Sequence, residues 1–336
     1  MRIALVTGAT GLVGSHVVER LLTDGWRVRA LVRDPASAAW LAAQGVEVAR
    51  GDVLDAPALT RAADGCAALF HTAAAVTPRG GWEAFRRPNV DGTRNVIAAA
   101  GAGSARLLHL SSVAVYGPSA RYRQDGHRTD EETPLPPLPD GAWYARSKRE
   151  SEALVLDAHA DGKVWATAIR PCVIYGPRDR QFVPRLARVL RFGFAPLLGR
   201  GRTTLPLVHA ASVADGAVRA VTTDVAGGRV YNVTNDFALT SREFFTLAGR
   251  GMGRRVRLVP MPAALASLVV RLGLRAVSLL RGGTLNVVAS GSLDFLTKDN
   301  PFTSARARRE LGWAPPVPPE EGVPAAFRWW VEHRGA

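Results

Sequence analysis

Short apolar runs alternate with stretches whose apolar positions recur at helical spacing through the first half of the chain. Ile3–Thr7, Arg27–Val32, Glu47–Arg50, Ala67–Thr72, Arg106–Ser111 and Trp165–Arg170 read as strands. Between the first two, Val17, Val18, Leu21 and Leu22 mark one face of a helix over Gly14–Asp24, and Gly25 supplies its C-terminal stop. Strand and helix in strict alternation predict βαβ units, hence an α/β fold with a doubly wound parallel sheet. Pro134, Pro136, Pro137 and Pro139 form a loop leading to Trp143-Tyr144. Past Pro171 the alternation weakens, and segments near 176–205 and 235–315 are rich in Arg, Pro and Gly. Val208–Thr222 and Arg229–Val233 read as a helix and a strand returned to the first domain. The expected division is 1–175 as a nucleotide-binding domain, rejoined by 206–233, with 176–205 and 234–336 as a smaller C-terminal α/β substrate lobe.

Composition adds boundaries. The 336 residues are 47% hydrophobic and 21% charged, as in ordinary globular proteins, and no internal repeat is present. The chain runs from Met1 straight into a strand, so no signal peptide is expected, and no apolar run is long enough to span a membrane. Cytoplasmic placement is the expectation. Cys66 and Cys172 have no metal-ligand spacing and read as free thiols; no metal is expected. The formal charge of +14 comes from arginines scattered through every segment, with no nucleic-acid-binding motif beside them. Nucleic acid is therefore not expected as a partner, whereas anionic cofactors, acyl carriers or acidic lipid surfaces suit a positive surface.

Chemistry enters at Gly8-Ala9-Thr10-Gly11-Leu12-Val13-Gly14, between the first strand and the first helix. Glycines there allow a tight turn, close approach of a pyrophosphate, and free helix N-terminal amides facing the anion. Gly8, Gly11, Leu12, Val13 and Gly14 thus line a dinucleotide site, and the fold is of the Rossmann type. The second strand bears on the choice of dinucleotide. Where an acidic residue would hold a ribose 2′-hydroxyl stands Val32, followed by Arg33 and Asp34. A guanidinium suits a 2′-phosphate, so NADP(H) is expected over NAD(H); in the competing reading Asp34 serves the hydroxyl. Asp52 and Val53 are candidates for the adenine side, and Ala73, Ala74 and Ala75 for the ribose side.

Tyr144 and Lys148 stand four apart, which on a helix places both on one face. An ammonium beside a phenol favours the phenolate and makes the pair a proton donor or acceptor near neutral pH. Ser111-Ser112 ends the fifth strand; Ser112 is placed to hydrogen-bond a substrate carbonyl, and Ser111 to cap or turn the chain near the cofactor.

These motifs, with Asn89-Val90-Asp91-Gly92-Thr93 and Arg170-Pro171-Cys172-Val173-Ile174-Tyr175-Gly176-Pro177, resemble the extended short-chain dehydrogenase/reductases of the NAD-dependent epimerase/dehydratase superfamily. The resemblance continues to Ser304–Trp313. It implies that Ser112, Tyr144 and Lys148 are catalytic, that Pro171 and Val173 line the nicotinamide, and that the chain forms a homodimer through helices near Asn89–Gly101 and Tyr144–His159. Sugar-nucleotide members carry an arginine where this chain has Leu205-Pro206-Leu207-Val208-His209, and dehydratases need an acid where Val113 and Ala114 follow Ser112. The pattern is closer to the 3β-hydroxysteroid dehydrogenase and dihydroflavonol reductase branch. It implies hydride transfer between NADP(H) and a ketone or secondary alcohol on a steroid-like, 3-oxo-acyl or flavonoid-like body. The alternatives are a nucleotide-sugar epimerase with bound NAD(P) and a non-catalytic NADP-binding regulator. Thr77, Trp82, Tyr116 and Arg178 are candidate substrate contacts, with Phe85 beside Trp82 at the entrance. Apolar Pro262–Arg281, studded with arginines, suits a lid, an interface or a peripheral membrane contact. His71, His109 and His209 read as structural, and Trp329-Trp330 as anchors of a terminal helix.

Overall fold

The computed structural model describes residues 2–78, 80–117, 128–198, 201–261 and 299–333. Its strands are β1 (Ile3–Thr7), β2 (Arg27–Val32), β3 (Glu47–Arg50), β4 (Ala68–His71), β5 (Arg106–Leu110) and β6 (Ala166–Pro171), followed by β7 (Val173–Tyr175), β8 (Phe194–Leu198), β9 (Leu207–His209), β10 (Val230–Val233) and β11 (Arg257–Met261). The helices are α1 (Leu12–Thr23), α2 (Ala39–Ala42), α3 (Ala56–Ala63), α4 (Trp82–Arg86), α5 (Gly92–Ala102) and α6 (Trp143–Ala160), then α7 (Phe182–Leu190), α8 (Ala210–Thr222), α9 (Ser241–Gly251), α10 (Ala305–Leu311) and α11 (Pro319–Glu332).

Seven parallel strands form one sheet in the order β10-β6-β5-β4-β1-β2-β3. Alternation within each buried strand sends side chains to two cores. Ala4 and Val6 of β1, with Phe70, Leu108 and Ile169, meet α1, α8 and α10 on one face. Leu5, Leu69 and Leu107 meet α3, α5 and α6 on the other. Each fully buried aliphatic side chain contributes roughly 1.5–3 kcal/mol, so both faces hold the sheet. The chain reverses between β1 and β4, and the crevice at that switch lies at the carboxyl ends of the strands, where ligands of such sheets bind.

A third core, around Tyr175, Leu197, Phe244, Leu247 and Phe327, joins α7, α9 and α11 with β8 and β11, which pair in parallel. This is the smaller lobe. Thr240 and Glu243 close a reciprocal cap at the start of α9.

Two expectations shift, and a third falls outside the described residues. Val208 and His209 are not helical: they belong to β9, which pairs with β7, and the helix starts at Ala210. The side chain of His209 accepts the Ala211 amide and so ends the strand and starts the helix. Helix α10 and Trp313, expected in the lobe, pack in the large-sheet core because Ala307, Leu311 and Trp313 cover β10 and α8. Pro262–Arg281 lies outside the described residues.

Candidate active site

At the carboxyl end of β1 the chain turns with Gly8 at φ +71°, and a Cβ there would lie 2.7 Å from the Ala73 amide. A Cβ on Gly14 would collide with the Gly8 carbonyl, so the start of α1 packs against the turn at a distance only glycine permits. Gly11 is the N-cap and brings no side chain to the first amides of α1, which have no partners within the helix. A loop and helix end of this shape fit a diphosphate. Among the described residues, no His/Cys/Asp/Glu cluster could hold a metal ion.

At the end of β2, Arg33 extends into solvent with 85% of its side chain exposed, and among the described residues it meets the Asp52 carboxylate at 4.0 Å. The neighbouring Asp34 carboxylate accepts the Ala36 amide at 3.1 Å and caps the turn that follows. Asp52 likewise accepts the Leu54 amide at 2.9 Å. Val53 is buried against Gly92, and its carbonyl accepts from Asn95.

Lys148 and Tyr144 occupy one face of α6, Lys148 buried and Tyr144 half-buried. The Lys148 ammonium donates to the Leu110 carbonyl at 2.7 Å, fastening α6 to the end of β5 two residues before Ser112. Burial pushes its pKa down to about 8, against the opposing pull of Glu152. Beside it His71 and His109 stand opposite each other on β4 and β5 with ring centres 5.5 Å apart. Burial first, then the Lys148 charge, holds His71 at about 3 and His109 well below its ordinary value. The positive charge of this cluster therefore resides on the lysine.

Ser112 caps the single turn Val113–Tyr116: its Oγ accepts the Ala114 amide at 3.1 Å. Accepting that bond orients the oxygen and keeps its proton for a carbonyl or oxyanion. The cap assigned to Ser111 thus falls to Ser112. Ser111 presents a buried hydroxyl without a hydrogen-bond partner among the described residues, an atom that a bound cofactor would satisfy.

Asn89 was quoted in the sequence only as part of a motif, yet it ties the site together. Its amide accepts from the Ala75 N–H at 2.7 Å and donates to the Ala75 carbonyl and to Ser147 Oγ, each at 2.9 Å. Ser147 in turn donates to the Tyr144 carbonyl. The clue in the sequence was a polar residue at a buried position, where an amide is retained only if its hydrogen bonds are met. Trp143 was also missed. It opens α6 within 6.2 Å of Trp82, over which the Arg146 guanidinium stacks at 4.1 Å.

The remaining candidates divide. Pro171 ends β6, buried. Val173 exposes its side chain, but its amide already donates to the Pro206 carbonyl, so that N–H does not line a nicotinamide. Thr77 and Ala74 are exposed, and Val76 between them is 40% exposed. Trp82 is half-buried and Phe85 is buried. Tyr116 is not a substrate contact: it is fully buried, its hydroxyl donating to Asn232 and accepting from Arg170, and burial pushes its pKa up to about 12. Arg178 is bonded to Ser15 and Glu19 of α1, which commits its charge to holding α1 rather than a substrate. Both cysteines are free and buried.

Fold and site together define a Rossmann protein of the extended short-chain dehydrogenase/reductase type. The chain belongs to the NAD dependent epimerase/dehydratase family, whose model matches residues 4–234. It is 32% identical to a 4-hydroxy-2-methyl-3-oxo-4-farnesyl-3,4-dihydroquinoline-1-oxide ketoreductase of Stigmatella aurantiaca, over 95% of this chain and 94% of that one. It is 31% identical to a ceramide reductase of Caulobacter vibrioides, over 97% and 90% of the two chains. Among solved structures, the dTDP-glucose 4,6-dehydratase DesIV of Streptomyces venezuelae, crystallised with NAD, superposes with a TM-score of 0.72 at 26% identity, covering 100% of this chain and 98% of that one.

Proposed function

We propose that the protein is an NADP(H)-dependent oxidoreductase that transfers hydride between the nicotinamide and a ketone or secondary alcohol on a hydrophobic substrate. The observation that carries this reading is the bond from Lys148 to the Leu110 carbonyl, which sets the Tyr144 helix beside the end of β5 where Ser112 is oriented by its cap. Residues 1–175 with the returning 206–233 hold the dinucleotide, and the lobe frames the substrate.

Gly8, Gly11, Leu12, Val13 and Gly14 would hold the diphosphate, with Ala73, Ala74, Ala75, Asp52 and Val53 around the adenosine and Ser111 and Pro171 toward the nicotinamide. When bound, the dinucleotide supplies the hydride. Ser112 donates a hydrogen bond to the substrate oxygen and stabilises charge developing there. Tyr144 delivers a proton to that oxygen, and the Lys148 cation offsets the negative charge left on the phenol. NADP(H) is favoured by the exposed Arg33 guanidinium and by the Ala36 amide, which engages one oxygen of the rival Asp34 carboxylate.

A hydrophobic substrate is supported by exposed Val76 and Val173 after β4 and β6, and by the two relatives, whose names specify a farnesylated quinoline oxide and a ceramide. A nucleotide sugar is less well served. Leu205–Val208 are apolar and buried, and Arg178 is already paired.

Purified protein mixed with 3-oxo-acyl, steroid and flavonoid-like ketones should consume NADPH in preference to NADH. Tyr144→Phe should lower kcat by roughly 10²–10⁴-fold while NADPH still binds. Copurification with tightly held NAD and no net cofactor turnover would identify an epimerase instead. NADPH binding with a biological output unaffected by Tyr144→Phe would identify a regulator.

A further inference from the structure

The lobe carries a surface that neither the dinucleotide site nor the substrate reading uses. Of the ten exposed large hydrophobic side chains among the described residues, Val189, Phe192, Phe194 and Val259 gather at the end of α7 and on the β8–β11 ribbon. Phe192 is 64% exposed and Phe194 47%, with ring centres 6.5 Å apart. Their grouping follows from the pairing. Phe194 is in register with Arg257, and Val259 stands two residues further along the same strand face. The alternate residues Ala195 and Leu197 are fully buried in the lobe core, so the face bearing Phe194 turns outward.

Cations ring these side chains. Arg185, Arg188, Arg191, Arg254, Arg255 and Arg257 are all exposed. Arg191 lies over the Phe192 ring at 4.8 Å, and Arg254 donates to the Arg191 carbonyl, which joins the two segments into one patch. No acidic residue occurs between Asp179 and Asp215 or between Glu243 and Asp294, so neither contributing segment offsets the charge.

We propose that this face docks on the surface of an anionic lipid bilayer, the phenylalanines entering the headgroup–acyl boundary and the arginines meeting lipid phosphates. Charge complementarity selects the occupant. An isologous contact with a second copy would set this arginine-rich patch against itself. A nucleic acid would pair with the arginines and stack on the rings, but it gives Val189 and Val259 no apolar partner. A bilayer interface meets both classes at once, and each arginine close to an anionic membrane tightens binding roughly fivefold.

The test is cosedimentation of the full chain with vesicles of phosphatidylcholine alone or with about one third phosphatidylglycerol. Binding should require the anionic lipid and weaken with salt. Phe192→Ser with Phe194→Ser should lower the partition coefficient roughly tenfold or more. Arg191→Gln with Arg257→Gln should weaken it as well and flatten its salt dependence. Phe192→Trp retains a large ring at the same exposed site, and brominated lipid should quench its added fluorescence even if the serine variant folds poorly. Equal binding to neutral vesicles, or no added quenching at position 192, overturns the proposal. So does binding to single-stranded DNA, or a concentration-dependent dimer, that is lost with the phenylalanines while vesicle binding is not.

Discussion

At Lys148 two demands conflict: the proposed chemistry requires a cation, and burial opposes one. The Leu110 carbonyl gives the ammonium one acceptor, but burial still lowers its pKa to about 8. The lysine is cationic below that value and loses its charge as pH rises through it, so support for a phenolate is present on the acid side and fades on the alkaline side. With a saturating ketone and NADPH, kcat for reduction should therefore fall as pH rises through about 8. Lys148→Arg keeps a cation across this range. It should turn over more slowly, because a guanidinium fits the ammonium's site poorly, but its alkaline fall should move to higher pH. A variant profile superimposable on that of the parent would remove Lys148 from the titration. Ser112 and Ser111 make a second contrast at this scale. Adjacent and chemically identical, they are separated only by what surrounds each hydroxyl.

Among the elements, Asn89 connects the loop after β4 to the helix bearing Tyr144. The Asn89–Ala75 bonds fix the loop expected beside the ribose, and Asn89–Ser147–Tyr144 fixes the first turn of α6. Asn89 is 2% exposed and acts only through its neighbours. Leaving such buried partners unmet costs about 1–3 kcal/mol. Asn89→Asp keeps the acceptor for the Ala75 N–H but loses the donors to the Ala75 carbonyl and Ser147. NADPH affinity should fall roughly tenfold, and kcat with it, if most of that cost appears as loop misplacement. Ser147→Ala leaves the Ala75 clamp intact and should lower kcat while the NADPH dissociation constant, read by fluorescence titration, barely moves. Parallel losses in both variants would mean the two links are not separable.

Strands β1 to β6 were legible to within a residue or two because short runs rich in apolar residues, bounded by turn residues, alternate there with helical stretches. The placement of Gly8–Gly14 on one turn and of Tyr144 and Lys148 on one helix face was legible from spacing together with the strands and helix around them. Strand β9 was not, since Val208-His209 passes into Ala210 with no glycine or proline to mark the change. Tyr116 and Arg178 were misjudged for a different reason. Their partners, Asn232 and Arg170 in one case and Ser15 and Glu19 in the other, come from distant segments that local pattern does not bring together.

At the scale of the folded chain, the four buried imidazoles among the described residues make folding sensitive to acid. His71 and His109 lie within the large sheet. His16 and His209 meet where α1 adjoins β9, with ring centres 5.7 Å apart, and Tyr175 packs edge-on against His209. Burial, then the Arg178 charge, lowers His16 to about 4; burial, then His16, lowers His209 to about 3. A histidine depressed in the folded state contributes nothing to pH dependence well above its unfolded value of about 6.5, where both states are neutral. As pH falls from there toward about 4, the unfolded chain takes up protons that the native imidazoles refuse, and stability drops. At about pH 5.5 the loss is on the order of 1 kcal/mol for each group, several kcal/mol for all four. The urea midpoint should therefore move down markedly between about pH 7.5 and about pH 5.5. His209→Gln removes one titrating group, so whatever it costs at neutral pH, the difference between the two midpoints should shrink. A parent midpoint unchanged between the two conditions would mean that these rings accept protons in the native state, and the buried surroundings of α1 and Lys148 would have to open more than their packing indicates.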